Sequence, residues 1–285
     1  MRVLIIGKNG ILGHEMQKAF HDFDYIAIDK EDLDLTDQDA IFGYIMSIQP
    51  DIVINCAGYT DVDNAEDNEN LALEINGHAV GLLAKACREI NARLVHFSTD
   101  YVFKGDQKNG YNEEDSPSPV NAYGRSKLLG EELLMDEMEM LDELNPVEGK
   151  YFLIRTSWLF GENGKNFVDT ILQNAKIKDE LKIVGDQYGK PTFAKDLAEQ
   201  VRWLISTNEY PSGIYHITND GVVSWAEFAQ KIVATAGLQT TIIPCSTEQY
   251  PTKARRPFYS ILRNNMLPNL RNFEDALKEY ISTKK

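Results

Sequence analysis

Tyr123 and Lys127 stand four residues apart in the stretch Asn121-Ala122-Tyr123-Gly124-Arg125-Ser126-Lys127. On a helix that spacing places both side chains on one face, with the ammonium near the phenol. A free tyrosine titrates near ~10 and is a poor proton source at neutral pH. A cation beside it favours the phenolate and moves the group toward a catalytic range. Alone, such a pair is most often an exposed surface pair; the amino terminus gives it weight. There Arg2-Val3-Leu4-Ile5-Ile6-Gly7-Lys8-Asn9-Gly10-Ile11-Leu12-Gly13 runs from a β-branched stretch into a helical pattern carried by Leu12, Met16, Ala19 and Phe20. A tight strand-to-helix turn, close approach of a pyrophosphate to backbone N–H groups, and close helix–strand packing each call for a residue without a Cβ. Gly7, Gly10 and Gly13 fit these tasks, spaced G-x-x-G-x-x-G rather than G-x-G-x-x-G.

The surrounding pattern predicts the elements that would position these groups. Strand-like runs at Val3–Ile6, Tyr25–Asp29, Asp51–Asn55, Leu94–Ser98 and Tyr151–Arg155 alternate with helical stretches at 37–48, 68–89 and around Tyr123 to Leu134. Repeated βα alternation with Val/Ile-rich strands predicts an α/β fold, a Rossmann-type doubly wound parallel sheet. Ligands then gather at the carboxyl ends of the strands, where Gly7, Asp29, Ala57-Gly58-Tyr59 and Ser98-Thr99-Asp100 follow their strands. Beyond Thr156 the pattern loosens. Residues 1–157 are assigned to the dinucleotide-binding domain and 158–285 mainly to a smaller C-terminal substrate-binding domain, with some later segments returning to the sheet. The acidic stretch Gly130 to Glu148 reads as a solvated helix extension ending at Pro146.

At 285 residues, 43% hydrophobic and 26% charged, the chain matches ordinary globular proteins. No apolar run reaches membrane-spanning length, and Arg2 leads directly into a strand instead of a signal-peptide core. Cys56, Cys87 and Cys245 are widely spaced, which fits a reducing cytoplasm better than a disulfide framework. A net charge of −15 disfavours nucleic acid and anionic membranes as partners.

With the glycine turn, Thr99, Tyr123 and Lys127 in this order, the chain resembles the extended short-chain dehydrogenase/reductases. Ala57-Gly58-Tyr59-Thr60-Asp61-Val62-Asp63, Ser98-Thr99-Asp100-Tyr101-Val102-Phe103, Arg155-Thr156-Ser157-Trp158, Asp186-Gln187-Tyr188-Gly189-Lys190-Pro191-Thr192 and Arg256-Pro257 look like the dTDP-4-dehydrorhamnose reductases. That resemblance implies hydride transfer from NADP(H), with NAD(H) as the alternative, to the 4-keto group of a dTDP-linked 4-keto-6-deoxy sugar. The product would be dTDP-L-rhamnose, a precursor of cell-surface polysaccharide. Tyr123 is then the proton donor, Lys127 lowers its pKa and bonds the nicotinamide ribose, and Thr99 bonds the keto oxygen. Cofactor contacts fall on Gly7, Asn9, Gly10, Ile11, Leu12, Gly13, Asp34, Leu35, Ala57, Gly58 and Tyr59, besides Tyr123 and Lys127. Asp29, with Lys30 beside it, meets the adenosine ribose. Thr99, Asp100, Tyr123, Trp158 and Arg256 fall on the substrate. A buried core position for Trp158 and an exposed loop position for Arg256 are the plain alternatives.

Some members of that family hold magnesium at a dimer interface through glutamates, and Glu15 matches one such position. No metal is predicted, and a homodimer stays open. Two rival readings share the fold: another nucleotide-sugar ketoreductase or epimerase, and a non-catalytic regulatory subunit of the methionine adenosyltransferase β type. Dehydration is disfavoured because Tyr101 follows Thr99-Asp100 where dehydratases carry a second carboxylate.

Overall fold

The run Val3-Leu4-Ile5-Ile6 has branched side chains throughout, which suits a strand covered on both faces. In the computed structural model, which describes residues 1–139, 151–207 and 209–284, it forms the inner part of β1 (Arg2–Ile6). There follow α1 (Ile11–Ala19), β2 (Asp24–Ile28), α2 (Gln38–Ile48), β3 (Ile52–Asn55), α3 (Glu69–Leu73), a wide π-type turn (Glu74–His78) and α4 (Ala79–Glu89). Next come β4 (Arg93–Thr99), α5 (Ala122–Glu139), β5 (Tyr151–Thr156), β6 (Leu159–Phe160), α6 (Phe167–Ala175), β7 (Glu180–Val184), β8 (Tyr188–Gly189) and β9 (Thr192–Phe193). The remaining elements are α7 (Ala194–Thr207), β10 (Gly213–His216), β11 (Val223–Ser224), α8 (Trp225–Ala236), β12 (Thr241–Cys245) and α9 (Phe273–Ser282).

Six strands pair in parallel in the order β10-β5-β4-β3-β1-β2. Alternate residues of β1 serve opposite faces. Leu4 and Ile6 pack with Ile41, Ile45 and Leu83 on one side, and Val3 and Ile5 with Met16, Leu197 and Val201 on the other. The chain leaves β1 toward β2, then crosses back to β3 on the other side. That reversal opens a crevice at the carboxyl ends of β1 and β3. α7 and β10 belong to this sheet assembly, whereas Phe160, Phe193, Phe228, Leu277 and Tyr280 build a separate core under the other C-terminal elements.

The acidic stretch after Gly130 differs from its expectation. Glu131 is fully buried, and both its carboxylate oxygens accept from the Arg155 guanidinium, Nε at 3.0 Å and Nη2 at 2.6 Å. Leu134 and Met138 also face the core, so only part of this helix is solvated. The expected end at Pro146 lies outside the described residues.

Breaking a buried pair from one side leaves an uncompensated charge. Glu131→Ala should therefore cost roughly 3–5 kcal/mol in urea unfolding. A loss under about 1 kcal/mol, the range of an exposed pair, would show that the pair does not anchor α5.

Candidate active site

The glycine turn divides its labour. Gly7 has φ +87°, and a Cβ there would stand 2.8 Å from the Ala57 nitrogen; one on Gly13 would stand 2.0 Å from the Gly7 oxygen. Gly10 has ordinary extended angles (φ −78°, ψ 166°), and its Cβ would meet only the Gly7 oxygen at 3.5 Å. Two glycines are required by the protein's own packing, and the third leaves room beside the start of α1. No side chain caps that helix, so its first N–H groups are open to an anion. Asp29 braces the turn: its carboxylate accepts the N–H of Asn9 and of Lys30, each at 2.9 Å. Lys30 pairs with Asp34 at 3.7 Å.

A cavity of about 900 Å³ begins at this turn. Gly7, Asn9, Gly10, Ile11, Leu12, Asp29, Asp34, Leu35, Ala57 and Gly58 line it, as do Thr99, Asp100, Tyr123, Lys127 and Trp158. Gly13, Tyr59 and Arg256 are not on its wall. Gly13 is spent on packing, and the Tyr59 backbone is held by Asn76 in the π-type turn (N–H to Oδ1 2.8 Å, Nδ2 to O 2.9 Å).

α5 starts one residue before Tyr123. Asn121 Oδ1 accepts the Gly124 N–H at 2.7 Å, and Glu66 accepts the Ala122 N–H at 2.8 Å. Tyr123, Lys127 and Glu131 then repeat every four residues along one face. Burial dominates the protonation of Tyr123 and Lys127. Tyr123 is pushed up to about 12, with the Thr99 hydroxyl pulling the other way. Lys127 is pushed down to about 8 by burial, which the Glu131 carboxylate opposes. Desolvation of the phenolate is the largest influence on Tyr123, and Lys127 is not among the groups that shift it here.

Sequence reading missed what lies behind Lys127. His96 is fully buried and held neutral by burial and by the nearby ammonium. Asn55 Oδ1 accepts the Ala57 N–H at 3.2 Å, which aims its Nδ2 at His96 Nδ1, 3.1 Å away. The ring proton is thereby assigned to Nε2, facing Lys127 Nζ at 3.4 Å. A donor set against an ammonium disfavours the charged lysine, in the same sense as burial. A lone buried histidine gives no sequence signal of this kind.

Thr99 ends β4 and donates its hydroxyl to Asp100 Oδ1 at 3.0 Å while accepting the Tyr101 N–H at 3.2 Å. Asp100 is buried, its Oδ2 has no hydrogen-bond partner, and burial pushes it up to about 7. Arg256 is bound to the Asp63 carboxylate through both Nη1 and Nη2 (2.5 and 2.8 Å), behind Tyr101. Trp158 stacks face to face on Trp225, centroids 3.5 Å apart and planes 8° from parallel. Trp225 also lines the cavity and was not expected there.

His14, Glu15 and Glu162 bring ligand atoms within 4.8 Å of one another. The Lys18 ammonium already bonds Glu15 at 2.9 Å and Glu162 at 2.8 Å. The Lys18 ammonium is thus the cation that lies between these two carboxylates in this structure. Among the described residues no helix is long and apolar enough to cross a membrane.

The family model for the RmlD substrate binding domain matches residues 1–285. The chain is 40% identical to the Bacillus subtilis spore coat polysaccharide biosynthesis protein SpsK, over 98% of this chain and 96% of that protein. It is 38% identical to a dTDP-4-dehydrorhamnose reductase of Burkholderia thailandensis, over 94% of this chain and 92% of the relative. A crystal structure of the Bacillus anthracis dTDP-4-dehydrorhamnose reductase in complex with NADP superposes with a TM-score of 0.92 at 38% identity, covering 99% of each chain.

The depressed Lys127 has a consequence for stability. The unfolded chain carries this proton up to ~10.5, whereas the folded chain releases it near 8. Between those values the unfolded state binds more protons, so stability rises with pH. The unfolding free energy of the wild type in urea should climb relative to Lys127→Met between pH 8 and 10.5, by roughly 2–3 kcal/mol in all. Parallel curves for the two proteins would remove the buried, titrating lysine.

Proposed function

The chain belongs to the RmlD substrate-binding-domain family of dTDP-4-dehydrorhamnose reductases, and we propose that its cavity carries out that family's reaction with the residues described above. The enzyme reduces the 4-keto group of dTDP-6-deoxy-L-lyxo-4-hexulose with NAD(P)H, giving dTDP-L-rhamnose for polysaccharide synthesis. One observation supports this most: Thr99, Tyr123 and Lys127 line the same cavity as the glycine turn. Bound along that turn, the dinucleotide supplies the hydride.

The chain's own residues do the rest. The open N–H groups at the start of α1 hold the pyrophosphate, with Gly10 allowing close approach. Tyr123, kept protonated by burial, donates its proton to the keto oxygen as the alkoxide develops. Thr99 bonds the same oxygen once its hydroxyl is released from Asp100, which a protonated Asp100 permits. Lys127 bonds the nicotinamide ribose and replenishes positive potential beside the phenol. Trp158 walls the sugar. Arg256 approaches the sugar diphosphate only by exchanging Asp63 for it. The sheet with α7 and β10 forms the cofactor half, and the Phe160–Tyr280 core underlies the sugar half. Free buried thiols at Cys87 and Cys245 suit the cytoplasm, and the α1 surface at the half-exposed Lys18, which covers the buried Glu15, is a candidate homodimer surface.

NADPH and NADH oxidation with dTDP-6-deoxy-L-lyxo-4-hexulose should be stoichiometric, and UDP- and GDP-linked ketosugars should be poor substrates. Catalytic cofactor use without net consumption would instead mark an epimerase. Tyr123→Phe should lower kcat by ~100-fold or more with cofactor affinity nearly unchanged; wild-type turnover would displace Tyr123 from its role. Gly10→Ala should fold within about 0.5 kcal/mol of wild type, as a substitution without a steric clash does, yet bind NADPH at least ~10-fold more weakly. Unimpaired NADPH binding by that variant would move the pyrophosphate elsewhere.

A further inference from the structure

β8 and β11 form a short antiparallel ribbon in which Gly189 faces Val223 and Tyr188 faces Ser224. This ribbon holds both supports of Trp158. A Cβ on Gly189 would stand 2.6, 2.7 and 2.8 Å from Cε2, Nε1 and Cζ2 of the Trp158 indole, so only glycine seats the ring there. Trp225 follows Ser224 directly and covers the ring face at 3.5 Å. Trp225 is itself fixed: it is the first residue of α8, closed by the Ser224–Glu227 capping box, and Phe167 packs on it at 4.6 Å. The Trp158 backbone is left-handed (φ +48°), a conformation a bulky residue keeps only when its surroundings impose it.

Both indoles line the cavity. The one polar atom of the Trp158 side chain, Nε1, is buried without a hydrogen-bond partner. Trp158 therefore offers a ligand aromatic surface and no polar contact. Its place is set by the sheet: Thr156 pairs with Thr99, and β5 lies beyond β4 from the glycine turn. Trp158, just past Thr156, thus follows the strand that lies on the other side of Thr99 from the glycine turn. On the hexose, the carbons next to the 4-keto group are C3, which bears a hydroxyl, and C5, which bears the C6 substituent; a wall without polar partners suits the C5 side.

We propose that Trp225 is a specificity-determining residue: by stacking on Trp158 it holds an apolar wall that accepts a methyl group at C6 of the sugar and disfavours a hydroxymethyl group. This rests on the keto-sugar reading above and goes further in naming the sugars rejected and the residue responsible. A hydroxyl placed against that wall loses water and gains no partner.

The test uses dTDP-6-deoxy-D-glucose and dTDP-D-glucose, which differ by one hydroxyl, as competitive inhibitors of keto-sugar reduction. Wild-type enzyme should hold the 6-deoxy compound roughly 10-fold or more tightly, the range an apolar pocket achieves. Trp225→Ala should bring the ratio close to one with affinity for dTDP itself little changed, and Trp225→Phe should retain most of the preference. Loss of the paired-indole exciton band in circular dichroism reports that the stack has gone; Trp203, outside the cavity, does not contribute to it. Trp225→Leu keeps the experiment usable should the alanine variant be unfolded. A wild-type ratio near one, or an unchanged ratio in a folded variant lacking the exciton band, overturns the proposal. Absence of wild-type turnover of the keto sugar would overturn the underlying functional reading instead.

Discussion

The buried bridge between Glu131 and Arg155 is the interaction on which the site's geometry depends. Two opposite charges, both essentially without solvent contact, join α5 to β5 through two short bonds. Desolvating both costs several kcal/mol each before their attraction is counted, so the pair adds little net stability over an apolar one. What it supplies is register. A bidentate fork tolerates little sliding of the helix along the strand. Because Tyr123 and Lys127 share a helical face with Glu131, fixing one fixes the other two. Arg155 is held in turn by the Phe103 ring, 5.0 Å from its guanidinium carbon, and by the Glu113 carbonyl at 3.4 Å. The neighbouring residue Thr156 pairs with Thr99 across the sheet. Helix and strand thus meet with the phenol and the threonine hydroxyl at a common point.

The same carboxylate shapes the electrostatics. Burial presses Lys127 toward neutrality, and Glu131 is the group that resists it. A lysine near 8 keeps most of its charge at neutral pH while remaining easy to perturb. Tyr123, raised to about 12, carries its proton at any physiological pH. For reduction of a ketone this is the useful state, since the proton must be present to be given. The negative end of the network is Asp100, poised near 7 and bonded to Thr99. A site built from buried groups that oppose one another holds its protonation states by desolvation more than by ion pairing.

Much of this was legible in the residues. Repeated β-branched runs gave the parallel sheet, and the glycine turn and the Tyr123–Lys127 spacing located both ends of the cavity, since they depend on local sequence. Three features depended on contacts across the fold and were not readable. Glu131 looked like one more solvated acid in an acidic helix, because nothing local marks a residue that will meet Arg155 across the core. Arg256 suggested a phosphate ligand from its chemistry, yet Asp63 lies nearer to it than the cavity does. Trp225 opens α8, and its stacking partner is 67 residues earlier, where no local pattern points to it.

The placement of Arg256 bears on how the two halves cooperate. The segment around it is tied to the first half several times: Lys253 to Asp67, the Ala254 N–H to Asp63 at 2.9 Å, Arg256 to Asp63, and the Arg255 carbonyl to Asn121 at 2.8 Å. Asn121 is also the residue that closes the start of α5. The C-terminal strap and the helix bearing Tyr123 therefore share one anchor. The strap's ion pairs are partly exposed, so each contributes modestly. Their sum ties the strap without locking it, whereas the buried bridge below keeps the phenol fixed. Fully buried bonds are thus concentrated beneath Tyr123, and the partly exposed, individually weak ones lie in the strap.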